Sequence, residues 1–253
     1  MVRQLVAFEE LTMKSLSTLV ACASSLLIAA SASAQIIDIY DNLTTPVTDP
    51  SSGDPVYLNE NGPVDGSTEN GDMIKLAGAL PAIIDNFTFK YWLDPTKVVG
   101  GESVEIRFYD MTGPDLSPTD PTPTPGSSPL YDSGVLALTD SGTVQRTLSH
   151  LNVAVPAVFT WSIQFSGGNI NDGFVAGVLL YSPPTVGQNK YTFWQNSGSG
   201  WDLNYFDAYP TDFGAQITGT PVPEPGATAV VLLLSAVGTV GFLRRRRLAI
   251  SFS

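Results

Sequence analysis

The sequence predicts an all-β protein: an antiparallel β-sandwich of the jelly-roll kind, flanked by an N-terminal signal helix and a single C-terminal transmembrane helix. Three observations predict it. Apolar and polar residues alternate with a period of two in several short runs, the spacing of a strand with one buried face. Gly, Pro, Asn and Asp cluster between those runs, where turns are needed. Outside the two termini no run sustains a helical period.

The clearest run is "VFTWSIQFSG", which places Phe159, Trp161, Ile163 and Phe165 on one face and Thr160, Ser162 and Gln164 on the other. "DNFTFKYW" opposes Phe87, Phe89 and Tyr91 to Thr88 and Lys90, and "ESVEIRFYD" opposes Val104, Ile106 and Phe108 to Glu105 and Arg107. "FVAGVLLYS", from Phe174, is apolar throughout and reads as a more central strand. Further strands are expected over residues 36–40, 73–77, 130–138, 144–151, 190–195, 201–206 and 214–218. About ten short strands at this spacing suggest a sandwich rather than a helical or mixed fold. Two connections are long. Residues 48–72 are acidic and rich in turn formers, and residues 112–129 are rich in Pro, Thr and Ser. The second reads as a solvated, extended insertion open to O-glycosylation.

Charge narrows the partners. The 253 residues carry a formal charge of −12, and residues 35–223 alone hold 21 acidic against 6 basic side chains. Such a surface repels nucleic acid and anionic headgroups. The sole cysteine, Cys22, lies in the N-terminal apolar segment. The part after it therefore has no disulfide framework, no thiolate nucleophile and no Cys-ligated metal.

Both ends read as targeting segments. From Met13, which suits a start better than Met1 because Glu9 and Glu10 fit a signal badly, the chain runs Lys14, an apolar stretch, then Ala32-Ser33-Ala34 ahead of Gln35. That is a secretory signal with an A-x-A cleavage site, the work of the Sec translocon and signal peptidase. "LVAC" up to Cys22 resembles a lipoprotein signal, but the apolar run before Cys22 is short and the longer one follows it. At the other end, residues 227–243 hold 17 positions without a charge, the lower edge of a membrane span, and Arg244, Arg245, Arg246 and Arg247 follow at once. The positive-inside rule keeps those arginines cytoplasmic, so both ends agree on an outward-facing acidic domain. The expected division is residues 1–34 as signal, 35–220 as exported domain and 221–253 as C-terminal segment, held in the inner membrane before processing.

The C-terminal segment resembles the PEP-CTERM sorting signal of Gram-negative bacteria. The matching residues are Val222, Pro223, Glu224 and Pro225, then the apolar span, then Arg244 to Arg247; "LAISFS" continues past the point where such segments usually stop. The resemblance implies an exosortase as partner, a membrane cysteine protease that cuts near Pro-Glu-Pro and passes the protein toward the surface or the exopolysaccharide matrix. Pro223, Glu224 and Pro225 are then substrate residues. The strand order is also similar to the uncharacterised β-sandwich domains that many PEP-CTERM proteins carry, a likeness that implies no activity.

No catalytic constellation emerges. The sole histidine is His150, and no Gly-x-Ser-x-Gly elbow occurs. Glu102 and Glu105 fall on opposite faces of one strand and do not form a carboxylate pair. Asp65, Glu69, Asn70 and Asp72 offer oxygen ligands that suit Ca²⁺, in a stretch unlike an EF-hand loop. Seven aromatic residues between Tyr191 and Tyr209 suggest a sugar-stacking platform, with Trp194 and Trp201 flanking a Gly/Ser loop as its expected rings. The sequence therefore points to a non-enzymatic exported protein of structural or adhesive role with glycan affinity and no obligatory cofactor. The alternative is a secreted carbohydrate-active hydrolase on the same fold.

Overall fold

A computed structural model describes residues 35–59, 66–96, 100–117, 119–168, 176–205 and 209–222. Both expected terminal helices lie outside the described residues. So do Cys22, Ala32, Ala34, Asp65, Pro223, Glu224, Pro225 and the four arginines Arg244 to Arg247.

The fold is an antiparallel β-sandwich of two seven-stranded sheets. The first contains β1 (Ile37–Asp41), β2 (Tyr57–Asn59), β4 (Ala82–Leu93), β10 (Gly142–Leu148), β11 (Val153–Val155), β13 (Ala176–Leu179) and β16 (Ala215–Pro221). The second contains β3 (Glu69–Lys75), β5 (Ser103–Tyr109), β8 (Tyr131–Asp132), β9 (Leu136–Ala137), β12 (Val158–Ser166), β14 (Gln188–Asn196) and β15 (Trp201–Asn204). A separate hairpin joins β6 (Asp115–Ser117) to β7 (Asp120–Pro123). The chain crosses repeatedly between the sheets, as from β3 to β4 to β5 and from β11 to β12 to β13, so neither sheet can form from one continuous stretch.

Two strands organise the sheets. The 12-residue β4 is the spine of the first: β16 and β13 pair along one edge, β11 and β10 along the other. β12 lies between β3 and β5 in the second. The expected alternation fills the space between them. Phe87, Phe89 and Tyr91 of β4 face Phe159, Trp161 and Phe165 of β12, all buried. Phe87 meets Trp161 edge-on with centroids 5.0 Å apart, and Tyr91 meets Phe165 at 6.0 Å. Edge-to-face contacts of this kind add about 0.5–1.5 kcal/mol each beyond area burial.

Three expectations need correction. Thr160 and Ser162 are as buried as their apolar neighbours, so β12 is covered on both faces. The cover comes from the Trp201 ring, which packs edge-on against Tyr109 at 5.3 Å and lies over Gly71. Gly71 permits this, because a Cβ there would sit 2.7 Å from Cγ2 of Thr160 and 3.5 Å from the Trp201 ring. The strand expected over 130–138 is two pieces, interrupted at Gly134, whose φ of 62° is left-handed. There the Ser133 hydroxyl, and not a backbone carbonyl, accepts the Ile106 N–H. Finally, the two long connections contain strands: β2 and the start of β3 within 48–72, and the β6–β7 hairpin within 112–129.

Candidate functional site

The last described strand is tied into the first sheet up to its end. β16 lies between β1 and β4, and its last pair sets Pro221 opposite Ala82. One residue on, the Val222 N–H donates to the Pro81 carbonyl at 2.8 Å.

The aromatic stretch is placed differently from expectation. Trp194 is 0% exposed, flanked by β3 and β15, with Gly71 and Leu203 as its cross-strand partners. A ring with no open face cannot stack on a sugar. Trp201 is half-buried and turned onto Tyr109. The open rings are Tyr191, 61% exposed, and Tyr205, 70% exposed. Alternation assigns Tyr191 and Phe193 to the same inward face. The β14–β3 register, however, shifts between Asn189 and Phe193, so Phe193 goes into the core while Tyr191 turns out.

The outer face of the second sheet carries a polar cluster centred on Arg107. Its Nη1 lies 3.4 Å from Glu69, its Nε donates to Asp132 at 3.0 Å, and its Nη2 donates to Glu105. Nη1 also donates to the Gln164 side-chain oxygen at 2.8 Å. Glu69 is buried, and it further accepts the hydroxyls of Tyr109 at 3.1 Å and of Ser162. Burial, and then the Glu69 carboxylate, push the Tyr109 hydroxyl far above its ordinary value. For Asp132, burial works upward but is outweighed by the Gly134 N–H and Arg107, which hold it below the ordinary carboxylate range.

The expected calcium set does not converge. Glu69 and Asp72 are in β3, not in a loop, and three positions apart they point to opposite faces. Glu69 joins the Arg107 cluster. Asp72 enters the core, where its Oδ2 accepts the Phe213 N–H at 3.0 Å. Among the described residues no group of three or more His, Cys, Asp or Glu side chains is placed to hold a metal. His150 sits exposed in a turn with a left-handed φ of 58°, matched by 52° at Asn152.

Residues 221–247 match the PEP-CTERM protein-sorting motif. No curated protein matches the chain in sequence. Among solved structures, the cysteine protease and lectin-like domains of Cwp84, a surface layer associated protein of Clostridium difficile, align over 61% of this chain at 10% identity and a TM-score of 0.36. The chain spans only 32% of that protein's chain. Broad Bean Stain Virus aligns over 71% of this chain and 97% of its own, at 10% identity and a TM-score of 0.20.

Proposed function

We propose that the chain is exported, cut by an exosortase near Pro223-Glu224-Pro225, and delivered to the cell surface or the exopolysaccharide matrix. There its acidic sandwich serves a structural or adhesive role and contacts glycans. The observation that carries the reading is the sorting motif at residues 221–247, which begins at the last residue of β16, the last described strand. A cut near Pro223 falls beyond the last β16–β4 pair, Pro221 with Ala82, and leaves that ladder intact. The product keeps the described sandwich and loses the apolar segment.

Glycan contact is supported by Tyr191 and Tyr205. Both are broad apolar faces held open to solvent near the end of the β14–β15 hairpin, and a pyranose presents its C–H face to such rings. The Arg107 cluster supports the non-enzymatic half of the reading. Its three carboxylates are all bonded to one guanidinium and so are engaged as structure.

The test is the intact mass of the mature protein from its host, for the wild type and for the triple substitution Pro223→Ala, Glu224→Ala and Pro225→Ala. The reading expects a wild-type chain that begins at Gln35 and ends near Pro223, and a variant that keeps its C-terminal apolar segment. A wild type that retains residues 227–247 overturns it. For the glycan half, Tyr191→Ala with Tyr205→Ala should lower retention on the host's exopolysaccharide at least several-fold without moving the melting temperature. Unchanged retention removes those rings from the account.

A further inference from the structure

Between the sheets, four side chains from four stretches of chain gather around one phenol. Tyr40 ends the inward face of β1 and is fully buried. Asn189 of β14 donates its amide to the Tyr40 hydroxyl at 3.3 Å, and Asn42 and Asp72 meet at Phe213, the residue after Asp212, whose carbonyl accepts from Asn42 at 3.3 Å and whose N–H donates to Asp72 at 3.0 Å. The carboxylates of Asp72 and Asp212 stand close enough to raise the phenol well above its ordinary value, after burial itself. Asp72, Asp212 and Asn42 are all 0% exposed.

The hydrogen bonds leave a particular set of atoms over. Asn42 spends its amide hydrogens on the carbonyls of Tyr181 at 2.9 Å and Phe213 at 3.3 Å, and its Oδ1 has no donor. Asp72 receives the Phe213 N–H on Oδ2, and its Oδ1 has none. Neither oxygen of Asp212 has a donor, although Ser182 and Asn189 lie beside it. Four buried oxygens of Asn42, Asp72 and Asp212 therefore remain without a donor, three from carboxylates and one from an amide, while Trp161, the cross-strand partner of Asp72, keeps a buried Nε1–H without an acceptor. Acceptors cannot satisfy one another, and each orphaned buried polar atom costs about 1–3 kcal/mol, more when charged. A cation among these oxygens would satisfy all four.

We propose that Asp72, Asp212 and Asn42 hold a divalent cation of the calcium type, with Tyr40 and Asn189 closing the shell around it. The donor set selects the ion. It is all oxygen, with no His or Cys, which disfavours zinc. Calcium accepts 6–8 oxygens from carboxylates and amide carbonyls in irregular arrangements. Magnesium demands a near-ideal octahedron and keeps much of its water, which a packed interior does not supply. A bound dication also neutralises two carboxylates that otherwise repel each other in a low-dielectric space. Because the ligands come from the residue after β1, from β3 and from the stretch before β16, the ion would tie the first sheet to the second.

The experiment uses the mature protein, stripped with a chelator and dialysed against Ca²⁺ alone. The inference expects one ion retained per chain and a melting temperature that rises with Ca²⁺. It expects Asp212→Asn, which keeps shape but removes charge, to weaken retention at least tenfold and abolish the rise. Asp72→Asn is the second variant should the first fail to fold. Three results overturn the inference: a wild type that retains no Ca²⁺; retention that Asp212→Asn and Asp72→Asn leave unchanged, which places the ion elsewhere; or a chelated Asp212→Asn more stable than the wild type whether or not Ca²⁺ is added, which makes the cluster a protonated carboxyl pair.

Discussion

The Tyr109 hydroxyl donates to the Glu69 carboxylate at 3.1 Å on the outer face of a sheet, where a sandwich ordinarily meets water. Both residues are buried, and Arg107 lies 3.4 Å from the same carboxylate. That face is a second, polar core roofed by Trp201. Removing the guanidinium leaves Glu69 buried with hydroxyl partners only. Breaking a fully buried pair costs about 3–5 kcal/mol, and partial solvent access to Arg107 reduces that. Arg107→Met should therefore lower unfolding stability by about 2–3 kcal/mol in urea titration. Loss below 0.5 kcal/mol would show that the cluster is solvated in solution.

Asp132 makes the protein sensitive to acid. Its folded value lies below the ordinary one, near 3.9, so its contribution to stability is present above about pH 4 and is lost as pH falls through the folded value. Arg107→Met removes one of the two groups that hold it down. The acid limb of stability against pH should become shallower in that variant, as read by melting temperature between pH 2 and 5.

Asp72 and Asp212 act in the opposite direction. Burial first, and for Asp72 the neighbouring Asp212 carboxylate next, raise both, with Asp212 pushed up to about 6. A carboxyl raised on folding favours the protonated native state. Its stabilisation is full below about pH 4 and is lost as pH climbs through the folded value. In chelator, stability should fall between about pH 4 and pH 6, and Asp212→Asn should remove most of that slope. A flat wild-type profile in this window contradicts the raised values.

Gly177 of β13 pairs with Trp92 on one side and Asn59 on the other. The Tyr57 and Trp92 rings stack beside it, 4.8 Å apart and inclined by 17°. A Cβ at position 177 would lie 2.7 Å from Cδ2 of Tyr57 and press on the Leu58 carbonyl, a backbone atom that cannot give way. Gly177→Ala should cost about 1–3 kcal/mol by overpacking. The same change at Gly53, whose surroundings are open, should cost less, and only through its left-handed φ of 77°.

The inner face of the sandwich was legible because one property, alternation, determines it. Phe87, Phe89, Tyr91, Phe159, Trp161, Ile163 and Phe165 all point inward as spacing dictates. The outer face was not, since period two says which residues share a side and nothing about what lies over them. Thr160 and Ser162 look solvated until Trp201 is seen across Gly71. Tyr191 escaped for another reason: one register shift in β14 reverses the side it occupies, and no residue type marks the shift. The Tyr40 cluster was invisible because its members stand up to 172 positions apart and only the sheet register brings them together.

β16 pairs with both β1 and β4, so strands from opposite ends of the chain are neighbours. Until residues 215–221 arrive, β1 is paired only through the Asp41–Val186 bridge and half of one edge of β4 stays bare. A chain that crosses a membrane N-terminus first therefore cannot finish its first sheet in transit. The sheet closes only when the residues next to the sorting segment have come through. Closure of the first sheet thus reports that the chain has arrived as far as the start of the sorting motif.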